Sequence, residues 1–558
     1  MQWDRNRKGF ITALVLIFLM VASIMLLTLY ELVGNYRTNA IRMQTSSQLD
    51  VDALNTLNAG IGYIKSLSAG VLGFNIIYQN RSPEWYSDFY SKLNSEWKNF
   101  LSVNIVSNNT FSIADMSNDN QSCVENTLKN ELANYLANRK LSRISIYVVK
   151  TKLPLSALIV SRVEKGGLVT YAYGIVTSKL LNQYVYFTNK EKSPTGSTIY
   201  FKAGEIIDGP MRSHDYININ NAGGKPTFTS TIEILGMKNQ GGQVVNPSEY
   251  NSYANLLGNP PYRILTSQDI SALDFNTIKN EYKSALSSLV RDYSTIKSNP
   301  GTFSGIKFTG NVTVSFNHGQ GGSNYDVKVS QGTVDYIITW NPSPPDAILR
   351  KQGGGSSETT NIKFNGVIYA TGNITVDGPT KLSTYKGSYT LFSENDIILN
   401  NRIIPYDTYT NNFTANERGN NGDTVDSDKL QRIKNYVNSN ETSSLNLVAI
   451  NDVRIGVGSD NKLINNMKIF ASIFAFDGSF KVDNYNTSSY AGQLFVFGSI
   501  MQNYRGPVGT FNPSTGSTTT GYYKTYSYDP RIITGAFQAY GTPTKSQTIS
   551  LKVLGLAK

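Results

Sequence analysis

The stretch Phe10–Tyr30, FITALVLIFLMVASIMLLTLY, decides how the rest of the chain is read. It holds no charged residue. As a helix rising 1.5 Å per residue it would be about 31 Å long, close to the hydrocarbon thickness of a bilayer. Ahead of it stands MQWDRNRKG, where Arg5, Arg7 and Lys8 outnumber Asp4. Basic residues beside a spanning helix tend to remain in the cytoplasm. The expectation is a basic cytoplasmic leader over 1–9 and a transmembrane and extended helix over 10–67. The chain would then cross the cell membrane once, with its bulk extracytoplasmic. A cleaved secretory signal fits less well, because the run continues through Leu26, Leu27 and Leu29 into Glu31 instead of ending in small residues. A core helix apolar on every side is out of keeping with so polar a remainder.

Working outward, Leu49, Ala53, Leu57, Ile61 and Ile64 recur at helical spacing, with Gly60 and Gly62 among them. The helix is expected to leave the membrane and pack on a globular part through that stripe.

The junction Lys8-Gly9-Phe10 resembles the processing site of type IV prepilins and type II secretion pseudopilins. The resemblance implies cleavage by a prepilin peptidase between Gly9 and Phe10 and methylation of the new terminal Phe10. It also implies that the apolar helix packs with other pilins or pseudopilins in a filament core. The fifth mature residue, usually Glu in that family, is Leu14 here. Family members without that acid resemble minor pilins, which cap or initiate the filament. The missing acid suits a plain membrane anchor equally. The resemblance is confined to residues 1–65.

Composition bounds the rest. The chain has 558 residues, enough for roughly two or three domains. A single cysteine, Cys123, excludes a disulfide framework or a cysteine metal cluster. Two histidines, His214 and His318, leave little material for a histidine-rich metal site. The net charge is +11, but only 16% of residues are charged and no dense basic block occurs. Nucleic acid is therefore not an expected partner. The 35 tyrosines, 46 glycines and many Asn, Ser and Thr suit β-structure with polar turns.

An α/β head is expected over 68–196. Ser82-Pro83-Glu84 opens one helix, and Ser122 to Glu125 forms a capping box for a second, with Cys123 in its first turn. Strands follow, with alternation at Ile144, Ile146 and Val148. A first β-rich segment covers 197–245. A helical insertion covers 246–300, carrying Ile278, Tyr282, Leu286, Leu289, Tyr293 and Ile296 at helical spacing. The stretch from Asn341–Pro345 through Gly353–Ser357 reads as a loose linker.

Within 301–540 the sequence repeats. Ile368–Val376, Leu391–Leu399 and Leu447–Ile455 align position by position, Ile473–Val482 aligns with one residue added, and Leu494–Ile500 is a partial copy. Stacked as coils of a parallel β-solenoid, Ile368, Leu391 and Leu447 would share one column, and Asn373, Asp396 and Asp452 would cap the corners. An antiparallel β-sandwich is the alternative. A C-terminal tail is expected over 541–558. The fold class expected is thus α+β and membrane-anchored: a long transmembrane helix, a small pilin-like head and a C-terminal solenoid.

No Walker loop, HExxH, GxSxG or full EF-hand pattern is present. Asp377, Asp396, Asp452 and Asp477 are the carboxylates that stacking would bring closest. The expectation is a protein without catalytic residues, cofactor or metal. Its function would be that of a minor-pilin-like surface protein at or near the tip of a type IV pilus or pseudopilus, carrying an adhesion or display module. Its expected partners are other pilins, prepilin peptidase, the membrane and surface glycans. Two alternatives stay open: a structural envelope protein on an uncleaved signal anchor, and a carbohydrate-active enzyme.

Overall fold

The computed structural model describes residues 40–68, 86–92, 110–124, 126–150, 156–271, 273–319, 326–341, 344–457, 462–534, 537, 542 and 544–557. Its contacts divide the chain into two units: 1–66, 76–177 and 547–558 form one, and 67–75 with 178–546 form the other.

In the first unit, α1 (Ala40–Ser68) meets a six-stranded sheet. The sheet holds β1 (Thr110–Ser117), β2 (Gln121–Cys123), β3 (Arg143–Lys150), β4 (Ser156–Lys165), β5 (Leu168–Leu180) and the C-terminal strand Thr544–Ala557. The first five pair antiparallel. Leu49, Ala53, Leu57 and Ile61 of α1 are buried, as their spacing predicts. Gly60 sets the closeness of this packing: a Cβ there would stand 2.6 Å from Cγ2 of Ile146. Helix α2 (Asn126–Arg139) buries Leu128, Leu132 and Leu136, one residue per turn. It begins later than the capping box suggests, because Gln121–Cys123 pairs with β1. The sheet's last strand arrives from the far end of the chain, so the second unit is inserted between β5 and a neighbour in the same sheet.

The second unit is a stack of parallel rungs. One column runs Ile306, Ile368, Leu391, Leu447, Ile473, Ile500, Tyr186, Met211, Ile232 and Tyr262, each in register with the next. A second runs Val312, Ile374, Ile397, Val453 and Phe480. A third runs Ser383, Ile403, Ile469, Val496, Tyr526, Ile207, Phe228 and Leu256. No single rung can bury its apolar side alone, and stacking gives each a neighbour. At Gly498 (φ +148°) a Cβ would stand 2.1 Å from the Ala471 carbonyl oxygen, so the rungs close there only over glycine.

The order of rungs is not the order of the chain. Residues 186–264 build outward from the middle to one end. Helix α3 (Phe275–Ser288) carries the chain back along the outside, and residues 304–528 then fill the stack from the other end towards the middle. The aligned repeats are neighbouring rungs, and the residue added after Ile473 falls at the corner. The partial copy is shifted, since Ile500, not Leu494, occupies the column position beside Ile473.

Helix α3 fits this task in length. It packs on an outward row formed by Phe187, Met501, Phe474, Val448, Phe392 and Tyr369, on six successive rungs. Five steps between strands span about 24 Å, and Phe275 to Val290 as helix spans about 22 Å. Phe275 meets Phe187 (ring centroids 5.2 Å), and Tyr282 meets Phe392 and Phe476 (5.8 Å each). Asp274 and Asp292 accept backbone N–H bonds as N-caps of separate helices, so the predicted insertion is broken into pieces.

These findings correct the fold class and location expected from Phe10–Tyr30. That stretch lies outside the described residues. Among the described residues β-strand dominates, and no helix is long and apolar enough to cross a membrane. Helix α1 has 29 residues but only one apolar stripe, which the sheet covers. An anchored single-pass helix with a head is therefore not what the described residues form. A solenoid confined to 301–540 is corrected too, because residues 186–264 supply rungs of the same stack. The sandwich alternative fails on the parallel pairing of the columns. The expected linker is a hairpin: Asp346–Gly353 pairs antiparallel with Ser356–Lys363, and Gly353, Gly354 and Gly355 turn it with positive φ.

Candidate functional site

Of the carboxylates singled out by stacking, Asp396 and Asp452 lie along one corner of the rungs, in line with Asn373. Asn373 N–H donates to Asn311 Oδ1 (2.8 Å), Asp396 N–H to Asn373 Oδ1 (3.1 Å), Asp452 N–H to Asp396 Oδ1 (3.2 Å) and Ser479 N–H to Asp452 Oδ1 (2.8 Å). Each corner side chain thus accepts the backbone N–H of the next rung, as the repeat alignment predicts. The second oxygens face cations: Arg454 lies 3.3 Å from Asp396, and Lys481 pairs with Asp452. Asp377 accepts from Gly378 N–H and the Asn400 amide. Asp477 is elsewhere, holding Lys279 of α3 at 2.8 Å through both oxygens. Corner capping and helix docking account for all four acids.

Where the two runs of rungs meet, the stack is held by buried charge. Arg505 donates to Glu191 (2.9 Å) and to the carbonyls of Ile199 and Tyr200, and its guanidinium lies 3.7 Å from the Phe201 ring centroid. Burial raises the Glu191 pKa, and Arg505 opposes that shift. Lys524 meets Glu205 at 3.0 Å, and burial pushes its amine down to about 8. A second group joins Arg402, Glu417 and Lys468, all fully buried. Arg402 also donates to the carbonyls of Glu417, Gly419 and Asn420, fastening the 412–423 excursion to the rungs. These groups serve the fold: each cation has a carboxylate partner, and Arg505, Arg402 and Lys468 also donate to backbone carbonyls.

Neither histidine joins a metal-like set. Arg212 Nε donates to His214 Nε2 (3.0 Å), which places the imidazole proton on Nδ1, facing Asn189 Oδ1 (3.3 Å). Burial, and secondarily the Arg212 charge, push its pKa down to about 4. His318 Nδ1 lies 2.6 Å from Asp326, whose other oxygen accepts the Trp340 N–H. Among the described residues no group of three or more His, Cys, Asp or Glu could hold a metal ion. Cys123 ends β2, not the first turn of a helix. Gly9, Phe10 and Leu14 lie outside the described residues.

One feature escaped the sequence. At the free end of the stack Arg212, Glu233 and Arg263 occupy one row on three successive rungs. Arg212 lies 2.7 Å and Arg263 3.5 Å from Glu233. Other charged residues lie between these three in the sequence, and only the register of the rungs aligns them.

The chain is similar to the competence-associated pilin ComZ from Thermus thermophilus, with 11% identity and a TM-score of 0.28, covering 91% of this chain and 98% of that chain. No protein-family model matches, and no curated protein matches. A likeness of that size carries no argument about fold or function.

Proposed function

We propose that the chain is a minor-pilin-like subunit of a type IV pilus or secretion pseudopilus, acting at or near its end. The stacked unit would be its display or adhesion module, and the protein would have no catalytic role. The observation that carries the reading is the Lys8-Gly9-Phe10 junction, with Leu14 in place of an acid, ahead of a helix laid on a small antiparallel sheet. Topology supports it. The stack is inserted in the chain between two adjacent strands of one sheet, so on this reading the helix and sheet are the pilin-like part and the insert is the display module. On this reading prepilin peptidase cuts after Gly9, Phe10 is methylated, the helix assembles with other pilins, and surface glycans are the ligand class to try first.

The test is N-terminal sequencing and mass measurement of the protein recovered with sheared filaments. The expected product begins with methylated Phe10. A product beginning at Met1, in cells that contain prepilin peptidase, removes the processing step. Absence from filaments removes the assembly role.

A further inference from the structure

The two ends of the stack are finished differently. At one end, Val327–Gln331 pairs antiparallel onto Val312–Phe316 and covers it. At the other, the last rung is Asn255–Leu256 with Tyr262–Ile264, and among the described residues no strand pairs with its outer edge. Backbone groups in a parallel strand point alternately to its two neighbours. The Ile232 N–H donates to Pro261 O (3.2 Å) and the Leu265 N–H to Ile234 O (2.9 Å), so the intervening groups of Tyr262 and Ile264 point outward. Apolar surface accompanies them: Ile264 is 41% and Leu257 65% exposed.

We propose that this end rung is a docking site for an extended strand of a partner protein, one with an acidic residue between two apolar residues. Charge sets the pattern. The row Arg212, Glu233, Arg263 alternates in sign and stops on a cation whose side chain is 48% exposed. Arg263 already faces Glu233 (3.5 Å) on the preceding rung and Asp269, which also accepts the Thr266 N–H. A strand added in register would place its central residue over Arg263 and its flanking residues over Tyr262 and Ile264, as each rung does to the one before. The edge strand is short, follows Pro260-Pro261 and bears an arginine, features that blunt indiscriminate pairing. They leave room for a short partner segment that brings the matching charge. The site does not depend on the filament role proposed above.

The test uses the full chain and a fluorescein-labelled peptide, TIEILGMK, which copies Thr231–Lys238 and carries the required Ile-Glu-Ile pattern. Fluorescence anisotropy is expected to give saturable binding. Changing the peptide's glutamate to lysine, or Arg263→Glu in the protein, is expected to weaken it about tenfold, and combining the two is expected to restore it. Thermal melting checks that Arg263→Glu remains folded. Absence of saturable binding, or binding indifferent to both charge reversals, overturns the proposal. So does self-association of the protein blocked by Leu257→Lys, which assigns the face to a second copy of the chain.

Discussion

The backbone of Ile500 pairs in register with that of Tyr186, joining runs of chain 314 positions apart. The same junction holds the buried Arg505–Glu191 ion pair, also 314 positions apart. The stack therefore closes only when its last rungs to be synthesised reach its first.

Closure of this kind makes the stack one cooperative body. Arg505→Ala leaves Glu191 buried without its cation and is expected to cost about 3–5 kcal/mol. Replacing both together, by Arg505→Met and Glu191→Leu, is expected to cost much less. Urea titrations followed at two reporters, one near Ile306 and one near Tyr262, check this. Both are expected to shift to the same lower midpoint in Arg505→Ala, since neither run of rungs is complete without the other.

In the first unit, two glycines two positions apart in one helix are expected to behave oppositely. Gly60→Ala places a methyl 2.6 Å from Ile146 Cγ2 and is expected to destabilise by about 1–3 kcal/mol. A Cβ at Gly62 has nothing within 4 Å, so Gly62→Ala is expected to stabilise by up to about 1 kcal/mol. Melting temperatures of the two variants against the parent decide it.

The corner ladder makes a claim about roles. Asp452→Asn keeps an oxygen for the Ser479 N–H and loses only the partly exposed contact with Lys481. Its cost is expected to stay within about 1 kcal/mol. Asp452→Ala removes the acceptor and is expected to cost about 1–3 kcal/mol. Chemical denaturation of both variants measures the difference. Equal losses would mean that charge, not capping, is what the corner needs.

His214 supplies a pH dependence. Its folded pKa, about 4, lies below the ordinary value of 6.5, so between those values the unfolded chain binds the proton and the folded chain does not. Stability from this group is complete above about pH 6.5 and falls as pH drops towards 4, by on the order of 3 kcal/mol. Glu191, raised by burial, contributes with the opposite sign, so the comparison must be with His214→Gln. Melting from pH 7 to 4.5 is expected to show a shallower decline in that variant.

The sequence by itself determined the local pattern of this protein. The stripe Leu49, Ala53, Leu57, Ile61 named the buried face of α1, and the spacing of Ile278, Tyr282 and Leu286 named that of α3. The alignment of Ile368, Leu391 and Leu447 placed three neighbouring rungs, and Asn373, Asp396 and Asp452 were legible as corner caps. All of these follow from periodicity within a helix or a repeat, where the chain is its own ruler. Tertiary structure alone decided that residues 186–264 belong to the same stack, that Thr544–Ala557 completes a sheet begun before β5, and that Arg212, Glu233 and Arg263 form one row at a free end. Pairing between distant strands depends on which backbone edges are still unfilled when the chain returns, and no local pattern of side chains records that.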